Sequence, residues 1–232
     1  MDIPRRLMQT GHMAVNASAT SRAWQVQNPD FEYHYFNDQQ CEKFLQEHLG
    51  SDVVQAFRAL QPGAFKADLF RYAFLYVRGG VYIDLDMAPV PPHTLDKILR
   101  CTPRAQLVAC VERAGIRGVW QGFLACVPGL PCLRDAIYKI VHHTRTRYYP
   151  AALDTWDAYL SITGPVLLAR AMPGVAFRPG AQTVGGTRVY LHTFNDHVVF
   201  PGTQDVVISG KDADYTPKDN YGYLTLARQV YA

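Results

Sequence analysis

The rhythm of apolar and polar residues changes at one point in this chain, the pair Gly79-Gly80. Before it, Phe70, Ala73, Phe74 and Val77 recur at helical spacing, which predicts a helix over Ala67–Arg78 with one face toward a core. The glycine pair predicts the stop, because glycine takes the left-handed cap without a Cβ penalty. After it, Val81, Ile83 and Leu85 alternate with Tyr82, Asp84 and Asp86, the period-two pattern of a strand. Pro89, Pro91 and Pro92 then turn the strand into a loop.

The same reading organises the rest of the chain. It predicts a strand at Ile3–Met8, ending in Gln9-Thr10, and a helix capped by Ser18 or Thr20 that Asn28-Pro29 stops. A strand at Phe31–Phe36 follows, then helices at Asp38–Leu49 and Ser51–Leu60, each opened by a side-chain cap. Beyond the carboxylates come a short helix at Thr94–Arg100 and buried strands at Leu107–Val111 and Val119–Val127. A helix from Pro131 toward His143, another opening at Thr163-Gly164-Pro165, and a strand at Val189–Leu191 before His192 complete the set. Residues after Ser209 read as a mobile loop, and neither a repeat nor a linker divides the chain. The expectation is a single α/β domain over residues 1–232.

The chemistry sits where the rhythm changes. On a strand, Asp84 and Asp86 project to the same side, roughly 7 Å apart. At an effective dielectric near 20 their charges repel by roughly 2 kcal/mol. A divalent cation removes that repulsion, and hard oxygen donors suit Mn²⁺ or Mg²⁺. The end of a strand is also where open α/β sheets bind ligands. One turn of helix separates Asp68 from Arg71. The alternative is structural: two aspartates capping a surface turn, and a solvated Asp68–Arg71 pair worth roughly 0.2–0.5 kcal/mol.

Composition narrows the class without changing this picture. A net charge of +3 does not call for a nucleic-acid partner. The basic run His142–Arg147 reads as a solvated helix end. Five cysteines without a C-x-x-C pair speak against a disulfide framework or zinc site, and Cys110 and Cys126 read as buried apolar residues. No apolar stretch has the length of a signal or membrane anchor, so the expectation is a cytoplasmic protein without a transmembrane segment; the Asn16-Ala17-Ser18 sequon is then incidental.

The run Ala67-Asp68-x-x-Arg71-Tyr72-x-x-Leu75-Tyr76-x-x-Gly79-Gly80-Val81-Tyr82-x-Asp84-x-Asp86 resembles the DXD region of glycosyltransferase family 32. That family includes mannosyltransferases and capsule and lipopolysaccharide sugar transferases, and the glucosyltransferase domains of clostridial toxins share the arrangement. Trp24, Asn28-Pro29-Asp30 and Tyr33 are similar to its pattern upstream; Gln121-Gly122-Phe123 and Thr163-Gly164-Pro165 are similar to it downstream. Departures are Met8 and Gln121, where the family has histidine and asparagine, and Thr193-Phe194 after His192, where it has Ser-Trp.

The resemblance implies a GT-A-type domain, a mixed sheet flanked by helices. It implies metal-dependent hexose transfer, with retention, from a nucleoside-diphosphate sugar to a glycan acceptor. A UDP-sugar is favoured and GDP-mannose is the other donor; without the anchor that Golgi members carry, the expectation is a bacterial or viral origin. Catalysis would fall to Asp68, Arg71, Asp84 and Asp86. Gln9, Thr10, Asp68, Arg71, Tyr82, Asp84, Gln121 and Gly164 would bind the donor, and Asp84, Asp86 and His192 the metal, with His197 the other candidate histidine. Asp68 would orient the Arg71 fork and keep it off the DXD pair. Two other functions compete. One is a haloacid-dehalogenase-like Mg²⁺ phosphatase, using the paired aspartates with Lys211-Asp212-x-Asp214; the other is a catalytically silent sugar-binding protein.

Overall fold

The computed structural model describes residues 2–11, 19–61, 63–102, 104–113, 115–151, 156–194, 197–199, 206–210, 225 and 227–232. In chain order the elements are β1 (Arg6–Thr10), α1 (Ala19–Gln27), β2 (Glu32–Phe36), α2 (Asp38–His48), α3 (Ser51–Ala59) and α4 (Gly63–Arg78). Then come β3 (Gly80–Ile83), β4 (Met87–Pro89), α5 (Leu95–Arg100), β5 (Leu107–Val111), β6 (Val119–Cys126) and α6 (Pro131–Thr146). The last are α7 (Trp156–Tyr159), α8 (Pro165–Arg170), β7 (Gly180–Val184), β8 (Thr187–Thr193), β9 (His197–Val199) and β10 (Val206–Gly210).

Seven strands form a mixed sheet in the order β2-β1-β3-β6-β5-β8-β7. β1 runs parallel to β2 and β3, β6 antiparallel to β3 and β5, and β8 parallel to β5. The C-terminal ends of β1, β2, β3, β5 and β8 therefore share one edge, the edge at which α/β sheets bind ligands.

Alternation along the strands divides the interior in two. Met8, Tyr82, Ala109 and Leu124 face a core built with α2, α3, α4, α6 and α8. Leu7, Val81, Cys110 and Phe123 face the other, covered by Trp24 of α1, Leu95 and Ile98 of α5, and a small antiparallel sheet β4-β10-β9. Each central strand is buried on both faces, which explains the near-continuous apolar runs of β3, β5 and β6.

α4 is the spine. Nine of its residues, Phe65 and Asp68 to Leu75, are buried, so it lies inside the molecule rather than on it. It stops as expected, with Gly79 at φ +63° and Gly80 at φ +105°. A Cβ on Gly80 would also lie 2.7 Å from the Arg6 carbonyl oxygen, so the strand enters the sheet only because nothing projects there.

Several boundaries differ from the sequence reading. β1 begins at Arg6 and takes in Gln9 and Thr10; just before it, Arg6 N–H turns back to the Pro4 carbonyl, while the Arg5 carbonyl still accepts from Glu32 of β2. α2 is capped by Asn37, whose side chain and that of Gln40 bond reciprocally. α3 follows Gly50 and has no side-chain cap, since glycine has nothing to offer. The β7–β8 hairpin, turned by Gly185-Gly186, and the small sheet were not anticipated. Of the stretch read as a mobile loop, Gly210 belongs to β10, and Val230 to Ala232 bond back onto the end of α3. The sequon, the Ser18 cap and the Lys211-Asp212-x-Asp214 motif lie outside the described residues.

Candidate active site

β3 ends at Ile83, one residue before the first carboxylate. The strand expected through Asp86 gives way to a turn, closed by Met87 N–H on the Asp84 carbonyl at 3.1 Å. Asp84 N–H still donates to the Gly122 carbonyl of β6 at 2.9 Å, so the sheet holds the first aspartate while the turn carries the second. Polar alternation continues past the ladder here, so the turn, and not the pleat, sets how the two carboxylates are placed.

Around Asp84 the side chains form one network. The Tyr82 hydroxyl donates to Asp84 Oδ1 at 2.5 Å, and Arg71 Nη1 lies 3.2 Å from the same oxygen. Arg71 Nη2 is 3.1 Å from Asp68 Oδ1, Nη1 donates to the Gln121 carbonyl at 2.9 Å, and the guanidinium lies 4.3 Å over the Tyr82 ring. Asp68 also accepts from Thr163 Oγ1 at 2.6 Å and from the Gln121 side-chain amide, whose oxygen lies against the Tyr72 hydroxyl. Asp68 is fully buried and Arg71 is 3% exposed, so the solvated-pair alternative is excluded. The expectation that Asp68 keeps Arg71 off the DXD pair is also corrected. Arg71 bridges Asp68 and Asp84, because a buried guanidinium with two carboxylates in reach is best compensated by both.

Asp86 is different. Among the described residues no other side chain bonds its carboxylate, and burial, followed by the nearby Asp84 charge, pushes its pKa up to about 6 against the opposing pull of its own backbone N–H and the Arg71 charge. Oδ2 of Asp84 has space beside it only because residue 122 is glycine: a Cβ there would lie 2.6 Å away. Two hard oxygen donors, one of them uncompensated, at a turn on the ligand-binding edge fit a divalent cation. Among the described residues, no group of three or more His, Cys, Asp or Glu side chains encloses a metal position. His192 instead packs its ring against Tyr190 and Phe123, at centroid separations of 5.1 and 6.4 Å. It lies on β8, three strands from β3, about 14 Å at ordinary strand spacing. Asn195, Asp196 and the His197 side chain lie outside the described residues.

The remaining predicted donor residues hold the site from behind. Gln9 is fully buried; its amide donates to the Asp84 carbonyl at 3.2 Å, and its oxygen accepts from Ser21 and Tyr33. Thr10 donates to the Phe36 carbonyl at 2.9 Å. Gly164 caps α8, whose first amides, those of Val166 and Leu167, already bond to the Leu160 carbonyl. Those amides are therefore taken, and the Thr-Gly-Pro segment contributes the Thr163 hydroxyl on Asp68. Tyr72 and Thr163 were not among the expected site residues; their only signal was that both lie in segments similar to the family pattern. Trp24 is fully buried, and its indole N–H donates to the Met87 carbonyl at 2.8 Å, fastening α1 to the residue after Asp86.

Residues 15–103, which contain this network's Asp68, Arg71, Tyr82, Asp84 and Asp86, match the family described as glycosyltransferase sugar-binding region containing DXD motif. This part of the chain is similar to the DXD glycosyltransferases. Its relatives include an initiation-specific alpha-1,6-mannosyltransferase of Candida albicans, 28% identical over 170 residues, 62% of this chain and 44% of the relative. The enzyme of the same name from Schizosaccharomyces pombe is 26% identical over 166 residues, 62% of this chain and 41% of its own. The chain thus spans less than half the length of these fungal relatives, whose source differs from the bacterial or viral origin expected. In fold it is similar to the PaToxG glycosyltransferase, with a TM-score of 0.51 at 13% identity over 73% of this chain and 67% of that one. The architecture is of the GT-A type. No helix among the described residues is long and apolar enough to cross a membrane.

Proposed function

We propose that this chain transfers a hexose from a nucleoside-diphosphate sugar to a glycan acceptor, with a divalent cation held by Asp84 and Asp86. The observation that supports this reading best is the pair of unlike aspartates. One is compensated by Arg71 and Tyr82, and the other is half-buried, has no ion pair among the described residues, and feels the Arg71 charge less than burial and the Asp84 charge. A surface cap would need neither the buried guanidinium nor the raised carboxyl. The names of the fungal relatives make mannose the first sugar to test, alongside the UDP-hexoses.

The cation, Mn²⁺ or Mg²⁺, would supply Lewis-acid neutralisation of the leaving diphosphate. The protein's own part is preorganisation. Arg71 is anchored by Asp68, Asp84 and the Gln121 carbonyl, so its charge is fixed before any ligand arrives and costs no reorganisation during transfer. Asp68 reaches Arg71 already held by Thr163 and Gln121, which makes it an orienting group. Retention of configuration is the outcome the family resemblance implies. Gln9 fixes the main chain of Asp84 and gives the DXD turn a rigid base.

Thermal denaturation with a panel of UDP- and GDP-sugars, each with and without Mn²⁺, tests the proposal. One nucleotide series should raise the midpoint only when metal is present. Stabilisation by phosphate mimics and insensitivity to every nucleotide would favour the phosphatase. No response to either class would favour a silent scaffold.

A further inference from the structure

The side of Asp84 turned away from Arg71 carries an aromatic platform that the reaction has not used. Trp120, near the start of β6, is half-buried, and one face of its indole is covered by Phe194 at 3.7 Å between centroids and 11° between planes. Its six-membered ring reaches within 2.3 Å of where a Cβ on Gly122 would lie, and Asp84 Oδ2 lies 2.6 Å from that same point. The indole edge and the carboxylate oxygen are therefore no more than about 5 Å apart. Among the described residues no acceptor takes the Trp120 indole N–H, although a tryptophan this far buried usually finds one. The Arg113 guanidinium stands 5.8 Å from the Phe194 ring at the rim.

We infer that Trp120 is the floor of an acceptor subsite, on which the apolar face of a hexopyranoside stacks while a ring hydroxyl accepts the indole N–H. The inference rests on the glycosyl-transfer reading and extends it to the acceptor. The geometry favours acceptor over donor. Arg71, Tyr82 and Asp68 gather on the Oδ1 side of Asp84, whereas Trp120 lies on the Oδ2 side, backed by the end of β8 rather than by α4. Because residue 122 has no side chain, the indole edge and Asp84 Oδ2 close up over it, so a ring stacked on the indole would come within reach of the DXD turn.

The test uses the full chain and two variants, Trp120→Ala and Trp120→Tyr. In transfer assays with α-linked mannobiose or methyl hexopyranosides as acceptors, Trp120→Ala should raise the acceptor KM at least tenfold. Donor KM and acceptor-free donor hydrolysis should stay within twofold, and Trp120→Tyr should restore the acceptor KM to within threefold. An unchanged acceptor KM in Trp120→Ala, or a donor KM that rises in step, overturns the subsite. Should no nucleotide sugar be turned over even by the parent chain, the transferase reading fails, and tryptophan emission still decides the subsite. Quenching by these sugars that Trp120→Tyr abolishes supports it, and no quenching by any of them overturns it.

Discussion

At the scale of single residues, the two aspartates of the DXD turn show how environment divides identical side chains. Asp84 is met by a guanidinium and a phenol, whereas Asp86 is left with burial and a neighbouring negative charge. The sign of the consequence follows directly. The folded-state pKa of Asp86 is about 6 against an ordinary 3.8, so the metal-free fold holds that proton more tightly than the unfolded chain does. Its stability contribution is present below about pH 4 and lost as pH rises through 6. With allowance for solvent screening the loss is on the order of 2 kcal/mol. Asp86→Asn should therefore make the metal-free protein more stable at pH 7 by roughly 1–2 kcal/mol, and flatten the fall between pH 4 and 6. Urea denaturation at a series of pH values reads this. In the parent chain Mn²⁺ should raise the midpoint more at pH 7 than at pH 5, where it competes with the proton, and in Asp86→Asn at neither. Gln121 makes the complementary point. Its extra methylene over asparagine lets one amide reach both Asp68 and Tyr72, so this departure from the family pattern is accommodated as a buried clamp.

At the scale of elements, the α4–β3 corner was the most legible part of the sequence, because its two periodicities meet at a glycine pair that nothing else could replace. Gly80→Ala should cost about 2–4 kcal/mol, since it combines a backbone conformation that alanine avoids with a Cβ 2.7 Å from the Arg6 carbonyl. Gly50→Ala makes the control: φ is +86° there but the space is open, so only the strain remains, about 1 kcal/mol. Chemical denaturation of the two variants separates clash from strain, and equal losses would refute the argument. The elements that were missed have a physical reason. β4 is three residues long, and its partner β10 lies more than a hundred residues away, so no local period marks either one. The β7–β8 hairpin did carry a signal, the two-residue Gly185-Gly186 turn at positive φ, which the longer apolar runs overshadowed.

At the scale of the whole molecule, the sheet edge collects the site from segments far apart in sequence: Gln9, the α4 pair, the DXD turn, Gln121 and Thr163. The fold that does this is closed by its last residues. Tyr231 bridges to Leu60, its hydroxyl donates to the Tyr148 carbonyl at 2.8 Å, and its ring lies edge-on to Tyr149. Tyr231→Ala should cost about 3–4 kcal/mol through lost burial and the cavity left behind, read as a drop in the thermal midpoint. Because Tyr231 packs on the α3–α6 side, the metal-induced stabilisation should survive in the variant at temperatures where it is folded.

Residue order by itself determined the helix-to-strand corner, the buried strands at Leu107–Val111 and Val119–Val127 and the presence of paired carboxylates beside an Asp-x-x-Arg. All of these are short-range, and all are enforced by periodicity or by glycine stereochemistry. Tertiary structure alone decided which acceptors Arg71 engages, that Thr163 and Gln121 immobilise Asp68, that His192 lies three strands from the DXD turn, and that Trp120 stands beside Asp84. Contacts of that kind depend on strand order and on which faces meet, and a one-dimensional pattern carries no term for either.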